Sequence, residues 1–271
     1  LLTAVHLSGS FASSIAGPWE SLNIVEEPLE PFRPWSEQGL KLLGGVWLSG
    51  SDGAWQGMYS GMAVLSSGEN SAQLLTLSDN ATLAEMNVTF SSSGLQVVSM
   101  RQLYLLDTVG LTVQSGGYRT VFESLSVLGD ELIISQEPSA VIVEGVSNRS
   151  SMLWRYSLSG VLRGDSSSAW AKEVVPLGVC NERTNFGVES LAHVPGIGVL
   201  AVCEQSGKAW LLPQGPGGTL ETALELSVPD SFKSVRIADI LVLPPEAGTG
   251  TAGTRAFEVL VLVSHWRGEI R

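Results

Sequence analysis

Short apolar runs, each closed by a polar or glycine-rich turn, recur along the chain. "SGMAVLSSGENSAQLLTLSDN" begins at Ser60, "ESLSVLGDELIISQEP" at Glu123, "ESLAHVPGIGVLAVCEQS" at Glu189 and "ADILVLPPEAGTGTAGTRAFEVLVLVSHW" at Ala238. Apolar runs of this length between turn residues read as β-strands, and a run–turn–run unit reads as a hairpin. The starts lie roughly 50–65 residues apart. Further strand pairs are read in "LQVVSMRQLYLLD" (95–107) and "MLWRYSLSGVL" (152–162).

Repetition at this period predicts an all-β fold, a β-propeller of four-stranded blades. A β-sandwich is the alternative. It explains the density of strands but not the repeated order acid, strand, turn, strand, acid. With the region "LKLLGGVWLSG" counted as one more unit, about five blades are expected in this chain. The expectation is a single propeller domain over 1–271, truncated at its C-terminus, since "RGEIR" directly follows a strong strand.

In an antiparallel hairpin, residues equidistant from the turn lie side by side. The midpoint between Glu189 and Glu204 falls in "PGIG", that between Glu123 and Glu137 in "GDE", and that between Ser60 and Asp79 in "SGENS". The midpoint between Asp239 and His265 falls in "GTAGT". Each pair is therefore expected to meet at one end of its hairpin. A radial array of hairpins would gather Asp79, Glu123, Glu137, Glu189, Glu204 and Asp239 around one rim. Opposed carboxylates need a cation, a nearby arginine or a raised pKa. Such an oxygen-rich set suits Ca²⁺ or Mg²⁺ rather than zinc. The plainer reading is that these acids bind backbone amides or pair with Arg119, Arg183 and Arg236, which precede them by three to six residues.

Composition narrows the function classes. Charged residues make up 15% of the chain and the formal net charge is −12. An acidic protein lacks the basic face that a nucleic-acid backbone requires, so no nucleic-acid partner is expected. It also fits poorly with an anionic membrane surface. No apolar run reaches the roughly 18 residues of a membrane span, so no membrane insertion is expected. The opening "LLTAVHLSGSFASSIAGP" has neither an initiating Met nor a basic stretch, so a processed or truncated N-terminus is expected rather than an intact signal peptide.

Cys180 and Cys203 form no C-x-x-C pair and leave two readings open, two buried free thiols or one disulfide. Three sequons, at Asn80, Asn87 and Asn148, accord with an extracytosolic location, secreted or in an organelle lumen, and with a glycoprotein. His193 lies inside an apolar run and reads as a core or strand-face residue. His265 takes the place of an acid in the hairpin series. Trp55, Trp154, Trp170 and Trp210 stand at repeat-like positions and read as packing residues. No phosphate-binding glycine loop, G-x-S-x-G elbow or H-E-x-x-H sequence is present.

These stretches resemble the domain family named "esterase-like activity of phytase". The matching positions are Gly44-Gly45, Ser60-Gly61-Met62, Ser78-Asp79, Glu123-Ser124-Leu125 and Glu137. They continue with Asn185, Gly187, Glu189, Leu191 and Ala192, then Glu204, then Arg236 and Asp239. The ordered series covers about residues 40–271, and "NFGVESLA" is its most specific member. One departure is "VSHWRG", which places His265 and Arg267 where the family's last strand usually ends in Glu-Arg-Arg. The resemblance implies a propeller-like, phytase-like domain that hydrolyses phosphoesters or esters.

The functional expectation is a metal-assisted hydrolase. Carboxylates Asp79, Glu123, Glu137, Glu189, Glu204 and Asp239 would hold Ca²⁺. Glu189, Glu204, Arg236 and His265 would serve the reaction on a small anionic or ester substrate. The competing expectations are a non-catalytic binding propeller with structural calcium, and an ester or lactone hydrolase on the same scaffold.

Overall fold

The computed structural model describes residues 2–7, 20–21, 24–28, 42–50, 59–78, 82–91, 94–105, 122–136, 141–143, 146–148, 151–165, 173–176, 180, 187–204, 208–215, 224–226, 236–243 and 258–264. The expectation of an all-β protein holds. Except for one short helix, the regular elements among these residues are strands, and the sheets are almost entirely antiparallel.

The first strands are β1 (Leu2–Leu7), β2 (Glu20–Ser21), β3 (Ile24–Pro28) and β4 (Leu42–Gly50). Three of them form a sheet of order β1-β4-β3, in which β1 and β4 run parallel. Next come β5 (Tyr59–Ser67), β6 (Ser71–Ser78), β7 (Thr82–Ser91) and β8 (Gly94–Tyr104), an antiparallel meander with β2 added beyond β8. The segment read as a strand pair over 95–107 is thus largely the single long strand β8. The next sheet has the order β14-β13-β10-β9, from β9 (Phe122–Leu128), β10 (Glu131–Gln136), β13 (Met152–Ser157) and β14 (Glu173–Pro176). A small hairpin, β11 (Val141–Val143) and β12 (Val146–Asn148), interrupts it. Then follow the meander β15 (Val188–Val194), β16 (Gly198–Cys203), β17 (Ala209–Pro213) and β18 (Leu224–Leu226), and the pair β19 (Arg236–Leu243) with β20 (Glu258–Ser264). Among the described residues these sheets do not close into a barrel or ring.

The second strand expected within 152–162 is replaced by a helix, α1 (Leu158–Arg163). Ser157 caps it by accepting from the Gly160 N–H, and Asp130 accepts from the Ser159 N–H at 2.7 Å. Gly164 ends it in the left-handed region, φ 71°. Two polar caps and a terminal glycine within so few residues outweigh the strand preference of "SLSGVL".

The apolar runs are explained by sheets stacked on both faces. Leu75, Leu77, Leu83 and Leu103 of the β5–β8 sheet pack with Phe122, Leu125, Leu132 and Trp154 of the β9 sheet. The other face of the β9 sheet, Leu128, Ile133 and Leu153, meets Leu191, Val199, Ala201 and Cys203. The opposite face of that third sheet, Ala192, Leu200 and Val202, meets Ile237 and Ile240. Strand β16 is therefore buried at every residue, and its sequence "GVLAVC" cannot alternate as a half-exposed strand does. Trp154 is fully buried, edge-on to Phe122, and its indole N–H donates to Gln136 Oε1 at 2.6 Å. Trp210 packs partly buried against the second of these cores, while Trp55 and Trp170 lie outside the described residues.

Candidate functional site

Four first strands, β5, β9, β15 and β19, lie side by side in that order, each beginning its own sheet. Each carries a β-bulge near its start. The residues the ladder skips there are Ser60 in β5, Glu123 in β9, Glu189 in β15 and Ala238 in β19; β5 has a second bulge at Leu65. A bulge adds one residue to one strand, bends it and re-aims the side chains around it.

The ladder registers do not set Glu189 opposite Glu204. In β15–β16 the ladder runs Val194↔Gly198 to Ser190↔Val202, then skips Glu189 and resumes at Val188↔Cys203. Glu204 consequently faces Gly187, donating its backbone N–H to the Gly187 carbonyl at 3.2 Å. In β9–β10, Glu123 is skipped between Ser124↔Ser135 and Phe122↔Gln136. In β19–β20, Asp239 faces Leu262 rather than His265. Equal counting from the turn fails for two reasons: the centre of each of these ladders lies off the assumed midpoint, and beyond it the bulge adds one more residue to the first strand. Asp79, Glu137 and His265 lie outside the described residues.

Beside each bulge stands a residue that ties one sheet to the next. Ser124, after Glu123, accepts the Leu191 N–H of β15 at 2.9 Å. Ser190, after Glu189, accepts the Ile240 N–H of β19 at 2.9 Å. Ser190 also donates to Asp239 Oδ1 at 2.7 Å, and that oxygen takes a second bond from the Ile240 N–H at 2.8 Å. Gly61 occupies the corresponding place in β5. A Cβ there would lie 2.9 Å from the Leu125 nitrogen, so β5 and β9 approach too closely for a side chain. Ser60 instead donates across to the Phe122 carbonyl at 2.9 Å. The serines of "ESL" thus act as junction residues between neighbouring sheets. Their recurrence as Glu123-Ser124-Leu125 and Glu189-Ser190-Leu191 is the clue that marks them.

The acids divide by environment. Glu123 and Glu189 are half-buried at their bulges on neighbouring strands. Glu204 is buried, and its backbone carbonyl accepts the Ile237 N–H at 3.1 Å. Asp239 reaches solvent over part of its surface but belongs to the Ser190 junction. Desolvation raises its pKa, overriding the opposing hydrogen bonds from Ser190 and Ile240. Arg236 opens β19 opposite Ser264. His193 is exposed on β15, and desolvation of part of its ring lowers its pKa. Among the described residues no three His, Cys, Asp or Glu converge on a point where an ion could sit. Glu123, Glu189, Glu204 and Asp239 thus do not form a calcium cage by themselves.

Cys180 and Cys203 are joined in a disulfide, which settles the two readings left open by the sequence. Both are buried, and Cys203 immediately precedes Glu204. No helix among the described residues is long and apolar enough to cross a membrane. Compared with protein families and with curated proteins, the chain matches no family and no curated protein.

Proposed function

We propose that the stacked sheets are blades of a β-propeller akin to the esterase-like phytase domains, and that the protein hydrolyses a small ester or phosphoester at the edge where its first strands bulge. The observation that carries this reading is the recurrence of one bulge at Glu123 and at Glu189 on adjacent strands. Bulges concentrate next to active sites, where they redirect a side chain out of the ladder. In this reading Glu189 and Glu204 supply carboxylate chemistry, with Arg236 and His265 near the developing charge. Calcium enters the proposal through Asp79 and Glu137, which would have to complete what Glu123 and Glu189 begin.

Charge decides between substrates. A rim of carboxylates repels a phosphoester unless a cation intervenes, whereas a neutral carboxyl ester meets no such barrier. The test is turnover of a panel of phosphomonoesters, phytate and carboxyl esters by the purified chain, in calcium and in chelator. Expected is a hydrolysis that falls at least about tenfold in Glu189→Gln with the circular dichroism spectrum unchanged. Calcium dependence should accompany phosphoesters only. Absence of turnover of every substrate under both conditions would overturn the enzyme reading.

A second reading, a non-catalytic propeller with structural calcium, is favoured by one observation. Asp239 Oδ1 and Ser190 Oγ are already engaged in joining two sheets. It predicts melting raised by calcium without turnover. The location proposed is extracytosolic, since a disulfide persists where the surroundings are oxidising.

A further inference from the structure

We infer that Asn87 is the acceptor of an N-linked glycan. Asn87-Val88-Thr89 fits the acceptor triplet, with a residue other than proline in the middle. The triplet alone is weak, because serine- and threonine-rich chains produce it by chance. The placement of Asn87 adds what the triplet lacks.

Strand β7 is buried along most of its length, from Thr82 to Met86, yet Asn87 is exposed. The reason is a mismatch in strand length. Strands β7 and β8 run for 10 and 11 residues, while β9 and β10, which cover the same face, run for 7 and 6. Leu83 and Leu103 lie under the shorter sheet and are buried. Asn87 and its cross-strand neighbour Ser99 lie beyond its reach and are exposed. Polar side chains surround Asn87 across the strands, although Val98, beside Ser99, is also exposed. Gln73 is the partner of Asn87 on β6, and Gln73 Nε2 donates to Glu85, which pairs with Arg101.

The amide nitrogen of Asn87 donates one hydrogen to Ser99 Oγ at 2.9 Å. A carboxamide nitrogen carries two hydrogens. Glycosyl transfer replaces one of them, and the other can keep the Ser99 bond, so the modified side chain fits the strand it occupies. The bond formed is from Nδ2 to the anomeric carbon of the sugar. The bond broken joins that carbon to the diphosphate oxygen of a lipid-linked oligosaccharide. The lipid diphosphate leaves, the displaced amide proton goes to solvent, and nothing is oxidised or reduced. The lipid-linked donor resides in the compartment that also forms disulfides, and Cys180–Cys203 is a disulfide here. Asn87 is the sequon asparagine whose side chain is described; Asn80 and the side chain of Asn148 lie outside the described set.

The inference rests on the extracytosolic reading, and one experiment separates their failures. The full chain is purified from its own cells, its thiols are counted, and its peptides are mapped before and after enzymatic release of N-glycans. Expected are no free thiols and conversion of Asn87 to Asp on release. Thr89→Ala should abolish the modification and Thr89→Ser should retain it, both without touching the acceptor itself. An oxidised, folded chain with bare Asn87 would overturn the acceptor assignment while sparing the location. Free Cys180 and Cys203 with bare Asn87 would overturn both.

Discussion

Ser124 and Ser190 make the same bond to the next strand, yet their loss should not cost the same. Removing the Ser190 hydroxyl leaves the Ile240 N–H with Asp239 Oδ1 as a second acceptor. Removing that of Ser124 takes from the buried Leu191 N–H the acceptor it has in β9. An unsatisfied buried donor costs about 1–3 kcal/mol, whereas a shared bond costs about 0.5–1.5 kcal/mol. Urea denaturation should therefore rank Ser124→Ala as the more destabilised variant, and equal midpoints would contradict the geometry. Asp239 gives a pH signature. Its pKa is raised in the folded state, by burial first. A raised carboxyl pKa favours the fold while the group is protonated, so its contribution is full at low pH and lost as pH rises through the folded value. Asp239→Asn keeps an oxygen for Ser190 and Ile240 but cannot titrate. Stability of the wild type minus that of Asp239→Asn should fall as pH increases from the ordinary carboxylate range upward, measured by melts across a pH series. At this scale the sequence was partly legible. It marked Glu123 and Glu189 as unusual, but it could not say that each is the extra residue of a bulge, because a bulge changes the register without changing the composition.

Turns and strands are most legible where glycine or proline punctuates apolar runs. The turn in "PGIG" is real. The Ile197 N–H donates to the Val194 carbonyl at 3.0 Å, with Gly196 at φ 71° in its third position. Gly198 then has φ 155°, and a Cβ there would fall 2.0 Å from the Leu212 carbonyl oxygen of β17. Gly129 also needs a positive φ, 61°, but has open space around it. Gly198→Ala should thus cost about 3 kcal/mol or more, through conformational strain and collision with backbone. Gly129→Ala should cost about 1 kcal/mol, through conformation alone. Thermal melts of the two variants check the ranking. What misled the reading over 152–162 was equally local. Asp130 lies far away in sequence, yet its carboxylate holds the first turn of α1. No pattern within "SLSGVL" reveals that partner.

Across the whole molecule, the periodic acids did point to repeated hairpins, and the structure places four of them in a row. Among the described residues, however, Glu189 and Glu204 do not face one another across their hairpin, and Asp239 faces Leu262. The disulfide spans a sequence separation of 23 and anchors Cys180 to the end of β16. Closing a loop of that size stabilises by about 3 kcal/mol through the unfolded chain. Cys180→Ser with Cys203→Ser should show that loss without reductant, and reductant should leave the double variant unaffected. Buried Arg155 supplies a second global test. It forms a forked ion pair with Glu131, the guanidinium reaching both carboxylate oxygens. Glu131→Gln takes the forked carboxylate from a buried cation, and the loss should be clearly destabilising. Chemical denaturation should place it well below Glu69→Gln, a change in the exposed β5–β6 turn.

Strand β16 is apolar at every position because sheets cover it from both sides, and this has a consequence for synthesis on the ribosome. The β9 sheet precedes it, but Ile237 and Ile240, which cover Leu200 and Val202, are translated only later. In that interval "GVLAVC" is a short, uncharged, β-prone segment with one side open, the kind that pairs with other nascent chains. Lys208, a few residues on, and Glu204, beside it, are the nearest charges able to discourage that pairing until β19 arrives.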